Sequence, residues 1–285
     1  MNKLNKLLND TLETYYWIGF VMADGWVTVN KFNQKYKNST YERTIGTFGV
    51  ILSSIDHDHL SKLSQYIEAP IRTGKRSTNY KKDARYSIVK VCNLDVVRVL
   101  KDKFMIENDK TTSPPNWSVF GYSDDQMLAM IIGYIDGDAS IAKRKSSNVL
   151  HISFQSHIAW KDNLLFIKTF LENYFDTPTR SKVSINNRNH ATLSICRSDL
   201  IVSIKEFATK NNLPILDRKW DVVHNYKNNS KNKTRNITFE HEDGSIENPV
   251  SVRRFAIDNN LSQTKVWKLT NGIIDEYKGW KIING

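Results

Sequence analysis

Two short segments of the chain repeat each other, and that repeat constrains the fold more than any other feature. YYWIGFVMADGWVTV (15–29) aligns with AMIIGYIDGDASIAK (129–143), placing Gly19 on Gly133, Ala23 on Gly137 and Asp24 on Asp138. A second pair follows each: VKVCNLDVVRVL (89–100) aligns with LSICRSDLIVSI (193–204), matching Cys92 with Cys196 and Asp95 with Asp199. An internal repeat of this kind implies two similar supersecondary units. Residues 14–22 and 126–135 are apolar almost all round, so each predicts a buried helix. Small residues at i and i+4, Gly19 with Ala23 and Gly133 with Gly137, allow two helix backbones to approach closely. The expected result is two pseudosymmetric halves whose repeat helices pack on one another at the centre.

That packing would bring Asp24 and Asp138 together at the helix C-termini, with Gly25 as a left-handed cap. Two carboxylates beside unpaired helix carbonyls concentrate negative charge and call for a cation. Hard oxygen ligands favour Mg²⁺, with Mn²⁺ as a substitute. A divalent cation beside a basic surface suits phosphodiester hydrolysis.

Amphipathic spacing predicts further helices over 56–68, 94–104, 160–174 and 199–210, with N-caps at Asp56 and Ser198. Alternating stretches such as RYSIVKV (85–91), VLHISFQSH (149–157) and HATLSIC (190–196) read as strands with one buried face. Each half therefore reads α-β-β-α-β-β-α. The fold class is α+β, with two αββαββα halves and a small C-terminal helix-turn-helix domain. The boundaries read from composition are 12–112 and 125–222 for the halves, 113–124 and 223–236 for linkers, and 237–285 for the last module.

Charge supports a polyanionic partner. The 285 residues carry 41 Lys and Arg against 30 Asp and Glu, a net +11. The excess concentrates in acid-poor stretches. Residues 26–41 hold three Lys and no acid, and 72–90 hold seven basic residues against Asp83. Residues 139–161 and 177–197 hold four basic residues each and no acid. A basic sheet face can hold cations at fixed spacing along a groove. The DNA-contacting residues expected from these stretches are Lys31, Lys35, Arg72, Lys75, Arg76, Lys81, Lys82 and Arg85 in the first half. In the second half they are Lys143, Arg144, Lys145, Arg180, Lys182 and Arg188.

Two cysteines cannot build a disulfide framework, and no Cys/His spacing suggests zinc. No apolar run approaches the ~18 residues needed to span a bilayer. The N-terminal MNKLNKLLNDTLE is too polar for a signal peptide. These readings predict a reducing cytosol, or another compartment holding the target DNA. IDHDH (55–59) reads as a helix N-terminus rich in Asp, and His151 and His157 as half-exposed strand residues.

The two repeats, WIGFVMADG (17–25) and IIGYIDGDA (131–139), resemble the paired motifs of the LAGLIDADG homing endonucleases. The resemblance covers about residues 12–215 and is to the monomeric, two-motif members. It implies saddle-shaped sheets along the major groove of a long DNA site, and a site-specific double-strand endonuclease with Asp24 and Asp138 as catalytic metal ligands. It also implies metal contacts from the backbone of Gly25 and Ala139, and a basic or polar residue near each site, for which Lys90, Arg197, Gln155 and Ser53 are candidates. Met22 stands where the first copy would have its first acid. Ala139 replaces the last glycine of the second copy. The partner implied is double-stranded DNA, bound by a monomer, with no membrane. The alternative is a maturase acting on intron RNA, or a DNA-binding protein that does not cut.

HNYKNNSKNKTRN (224–236) is Asn/Lys-rich and reads as a linker. After it, a hairpin around Asp243-Gly244, a helix after Ser251, a turn at 259–261 and a helix capped by Ser262 follow helix-turn-helix logic. Gln263, Thr264, Lys265 and Lys268 are the residues of the second helix that could reach DNA. Trp280 in YKGWKI is expected to pack back on this unit, which resembles the modular helix-turn-helix units appended to homing endonucleases.

Overall fold

Nine consecutive buried residues, 14–22, form the middle of the first helix, α1 (Leu12–Asp24). Thr11 caps it by accepting from the Thr14 amide at 3.2 Å. Its counterpart α4 (Asp124–Asp138) is buried over 127–136 and starts in a capping box between Ser123 and Gln126. A computed structural model gives this architecture and describes residues 3–36, 39–77, 83–144, 148–226, 237–249 and 252–284. The chain divides into two units, Met1–Asn225 and Tyr226–Gly285.

The first unit contains the repeat. α1 is followed by β1 (Gly25–Tyr36), β2 (Ser39–Ser53), α2 (His57–Tyr66), β3 (Ile71–Arg76), β4 (Ala84–Cys92) and α3 (Leu94–Asp102). α4 is followed by β5 (Ala139–Lys143), β6 (Leu150–His157), α5 (Lys161–Tyr174), β7 (Val183–Ile185), β8 (His190–Ile195) and α6 (Ser198–Lys210). Both halves are αββαββα, and α7 (Asp217–His224) follows the second. Each sheet is antiparallel, with strand orders β1-β2-β4-β3 and β5-β6-β8-β7.

The close approach of α1 and α4 depends on the glycines. A Cβ on Gly19 would fall 1.9 Å from the Met130 carbonyl oxygen, and one on Gly133 would fall 1.9 Å from that of Tyr16. A Cβ on Gly137 already has a counterpart there: it would lie 2.1 Å from Cβ of Ala23. The repeat helices therefore touch backbone to backbone along the small-residue face.

Register fixes the two faces of each sheet. In the first, Val27, Phe48 and Val91 align across three strands and are buried. α3 covers this face, since a Cβ on Gly46 would meet Leu94 and Val97. The opposite, helix-free face carries Trp26, Thr28, Thr47, Gly49, Lys90 and Cys92. In the second sheet, Ile141, Ile152 and Ile195 align on the helix side, and Ser140, Ser153 and Ser194 on the free side.

Three local expectations need correction. Asp56 precedes α2 but makes no side-chain cap, because its carboxylate is committed to Arg218. Ser198 is the first residue of α6, not its cap, and its Oγ accepts from the Leu150 amide at 2.9 Å. The proline-containing segment expected as a linker is packed. Its Trp117 is fully buried, the Trp117 amide donates to Asn163 Oδ1, and the Asn163 amide donates to the Pro115 carbonyl.

The second unit is built on a core of Phe239, Phe255, Val266, Leu269 and Trp280. Its helices are α8 (Val252–Asp258) and α9 (Gln263–Thr270). The expected turn between them is present, and Gly272 ends α9 with φ +66°. Gln263, Thr264 and Lys265 are exposed and Lys268 is half-buried. The hairpin of β9 (Thr238–His241) and β10 (Ile246–Glu247) continues into a four-stranded sheet with β11 (Glu276–Tyr277) and β12 (Trp280–Asn284), in the order β10-β9-β12-β11. The closing YKGWKI segment is thus a second hairpin. The alternation in that segment is too short to predict a strand. Ser251 and most of the Asn/Lys-rich segment lie outside the described residues.

Candidate active site

Asp24 and Asp138 are the last residues of α1 and α4. Gly137 presses on Ala23 directly before them, so the contact that joins the helices also brings the carboxylates together. Each keeps an exposed side. Loss of solvent on the other side pushes Asp24 up to about 6, with repulsion from Asp138 as the next cause. Asp138 is also raised by desolvation, against the pull of Lys110, a Tyr134 hydrogen bond and Lys219.

Those two lysines are the feature that sequence reasoning missed. Lys110 Nζ donates to the carbonyls of Met22 (2.6 Å) and Ala23 (2.8 Å) at the end of α1. Lys219 Nζ donates to the carbonyls of Ile135 (3.2 Å), Gly137 (3.0 Å) and Ala139 (2.7 Å) at the end of α4. Each lysine thus answers the partial negative charge of one helix C-terminus. Burial holds both below the ordinary lysine range, although the nearby aspartates oppose this. Both follow the last strand-linked helix of their half, a symmetry visible in the sequence only once the helices are placed.

The first motif acid of the second copy, Asp136, has a separate role. It is fully buried, and accepts from Tyr16 Oη (2.7 Å), the Leu216 amide (2.8 Å) and Trp220 Nε1 (2.7 Å). It therefore ties α4 to α1 and to α7, the helix that carries Lys219. Met22, at the corresponding place in α1, is buried without any such group.

The caps differ from expectation. Gly25 has φ −85° and ψ 172°, and Ala139 has φ −99° and ψ 160°, so both are extended and neither is left-handed. The chain runs straight from helix into strand, which explains why alanine is accepted at 139. The Ala139 carbonyl, expected at a metal, here accepts from Lys219.

The four basic or polar candidates do not pair across the symmetry. With Gly25 opposite Val50 and Ala139 opposite Phe154, Gln155 corresponds to Ile51 and Ser53 to His157. By the same register Lys90 corresponds to Ser194. Gln155 does reach the site: it lines a cavity of about 270 Å³ with Lys110, Asp138, His157 and His190. Lys90 is exposed on the free face of the first sheet. Arg197 is held by Asp199, with Nε 2.7 Å from Oδ1 and Nη2 2.9 Å from Oδ2.

The expected DNA-contacting residues divide by face. Arg72 and Arg76 share the free face with Lys90, whereas Lys31, Lys35, Lys75 and Arg85 alternate to the helix side. Arg43, not singled out in the sequence, pairs with Phe32 on the free face. In the second half the strand residues of the free face are Ser, Thr, Gln, His and Ala142, with no Lys or Arg among them. Lys143 lies on the helix side opposite Leu150, while Arg144, Arg180, Lys182 and Arg188 lie outside the strands, on connecting segments. The positive charge is therefore not carried alike by both sheets. Lys81, Lys82 and Lys145 lie outside the described residues.

No group of three or more His, Cys, Asp or Glu able to hold a metal occurs among the described residues. The donor set is two carboxylates with open sides. This fits Mg²⁺, which keeps several waters and is commonly held by one or two carboxylates plus substrate phosphate oxygens. It does not fit an all-protein cage.

Residues 125–208 match the family model of the LAGLIDADG-like domain. The matched stretch lies within the second half, and the first half repeats its motif and element order. Among solved structures, the chain is similar to a mutant of the meganuclease I-SmaMI, at 13% identity and TM-score 0.49, covering 73% of this chain and 87% of that one. It is also similar to I-LtrWI, a LAGLIDADG homing endonuclease bound to target DNA, at 15% identity and TM-score 0.47, covering 75% and 87%. No match was found among curated proteins. None of the helices among the described residues is long and apolar enough to cross a membrane.

The raised Asp24 has a pH consequence. Its folded value, about 6, exceeds the ordinary 3.8, so folding favours the neutral form. Its contribution to stability therefore declines as pH rises between those values. Without divalent cation, Tm should fall over this window, and Asp24→Asn should flatten part of the slope. Saturating Mg²⁺ should restore Tm above pH 6 in the wild type. Thermal melts at stepped pH measure this, and a Tm independent of Mg²⁺ would contradict it.

Proposed function

We propose that the chain is a site-specific double-strand DNA endonuclease dependent on Mg²⁺ or Mn²⁺. The observation that supports this most is the pairing of Asp24 and Asp138 at two abutting helix ends, each end with its own lysine. A bound divalent cation would supply charge to activate water and stabilise the leaving oxygen. Asp24 and Asp138 would hold it, with phosphate oxygens and water as the remaining ligands.

The chain's own groups account for the rest. The carboxylates orient the attacking water from their open sides. Lys110 and Lys219 place ammonium groups beside the reacting phosphate, where developing negative charge is stabilised most strongly if the donors are fixed beforehand. The helix carbonyls fix them. Lys110, with two of its three N–H groups on carbonyls, is the one placed to donate a proton to the leaving oxygen, and its lowered proton affinity suits that role. The free face of the first sheet, with Arg43, Arg72, Arg76 and Lys90, would follow the backbone and base edges of the groove. The exposed face of α9 would add contacts outside the core.

Lys110→Met and Lys219→Met test the lysine role. Each should lower the cleavage rate by about 10²-fold, with DNA affinity within about threefold of wild type under equal salt. Single-turnover cleavage and filter binding read the two separately. Unchanged cleavage in both variants would remove the lysines from the mechanism.

A further inference from the structure

A second cationic site lies on the helix side of the first sheet, away from its free face. β3 is an edge strand, and register sets Lys75 directly opposite Arg85 on β4. Ser87, two residues on, is buried on the same face, and its Oγ lies 2.9 Å from Nδ1 of His57 at the start of α2. With that ring nitrogen engaged, Nε2 is left for another partner. These four residues, with Ser54 and Thr73, line an open cavity of about 620 Å³.

The arrangement is unfavourable as it stands. Like charges directly opposite across an antiparallel pair repel. Lys31, on the same side of the same sheet, answers Glu42 at 3.4 Å. Among the described residues, no carboxylate lines the cavity with Lys75 and Arg85. Two cations held face to face, an imidazole fixed by a buried hydroxyl, and two further hydroxyls make a donor set that an anion completes. Arg with Lys and hydroxyl donors suits the several oxygens of a phosphate. The volume exceeds that of phosphate alone and would admit a nucleotide unit.

We infer that this cavity, formed by Lys75, Arg85, His57 and Ser87, binds the phosphate group of a nucleotide-sized ligand. The alternation that turns Arg72 and Arg76 to the free face turns Lys75 and Arg85 away from it. A phosphate reaching this site comes either from a separate nucleotide or from a DNA backbone passing around the β3 edge. The inference is independent of whether Asp24 and Asp138 cut DNA.

The test uses the full chain, with inorganic phosphate and a nucleoside monophosphate as probes in calorimetry and thermal melts. Both should bind the wild type. The double variant Lys75→Ala/Arg85→Ala should weaken binding by about tenfold or more, while Arg98→Ala/Lys101→Ala, two cations of α3 outside the cavity, should not. His57→Gln should weaken it to a lesser degree. Circular dichroism confirms folding. Absence of phosphate binding in the wild type, or equal binding in the Lys75/Arg85 variant, would overturn the inference. Duplex DNA then separates the sources. If the phosphate belongs to DNA, the same variant lowers duplex affinity and reduces the salt slope by about two. If it belongs to a separate nucleotide, phosphate binding is lost while duplex affinity is unchanged.

Discussion

Asp24→Asn and Asp138→Asn should each abolish double-strand cutting while leaving a folded protein that still binds DNA. The isosteric amide removes one negative charge from the pair and leaves helix packing untouched. Each carboxylate terminates a different helix, so each is expected to serve one strand. The single variants should then yield nicked duplex, with cutting of the affected strand reduced by about 10³-fold or more, the scale on which charge placed at a reacting centre acts. The double variant should give neither nick nor break. Because Asp24 is raised by burial and by Asp138, neutralising Asp138 should also lower the proton affinity of Asp24. Nicking assays on supercoiled DNA resolve these outcomes. Full double-strand cutting by either single variant would remove that residue from the site.

Gly19→Ala and Gly133→Ala should produce the largest losses of stability in the molecule. In each, the new methyl would lie 1.9 Å from a backbone carbonyl oxygen of the partner helix, Met130 in one case and Tyr16 in the other. A side chain could rotate aside, but a helix carbonyl cannot. The helices must separate by more than 1 Å, opening the core that both halves share. Overpacking ordinarily costs about 1–3 kcal/mol, and a backbone-to-backbone clash should cost about 4 kcal/mol or more, a large part of the total stability of a typical domain. Gly121→Ala is the control, since a methyl there meets nothing within 4 Å. Urea melts should place Gly121→Ala beside wild type and the other two far below it, if they fold at all. Near wild-type midpoints for Gly19→Ala would contradict the helix contact.

The central helix pair was legible because the sequence states it twice. Gly19 and Gly133, Asp24 and Asp138, and Cys92 and Cys196 occupy corresponding places in the two halves. Each αββαββα order followed from alternation and amphipathic spacing. What alternation does not reveal is which of two parities faces the helices. Lys75 and Arg76 are adjacent in one basic stretch of the sequence but lie on opposite faces of the sheet. The decision belongs to tertiary packing, here to α2 and α3 closing on Ser87 and Gly46.

Lys110 and Lys219 were hidden for a different reason. Lys110 stands in ENDKTTSPP, which has the composition of a connecting segment, and Lys219 in a short helix after the repeat has ended. Their partners are main-chain carbonyls, which no side-chain motif marks. Asp136 was visible as a motif acid, but its burial against Tyr16 and Trp220, contacts more than eighty residues apart in sequence, was not. The left-handed cap expected at Gly25 failed because the Asp-Gly pair ends a helix that continues directly into a strand, where extended backbone suffices.

If Asp24 and Asp138 are the catalytic pair, this chain cuts DNA at a defined site. The most direct measurement is incubation of the full chain with a library of long randomised duplexes, with Mg²⁺ or with chelator, followed by sequencing of the ends produced. The account predicts a narrow set of related sites cut on both strands with Mg²⁺, and none with chelator or with the Asp24→Asn/Asp138→Asn variant. Cutting that survives in that variant, or tight DNA binding with no metal-dependent ends at all, would contradict it.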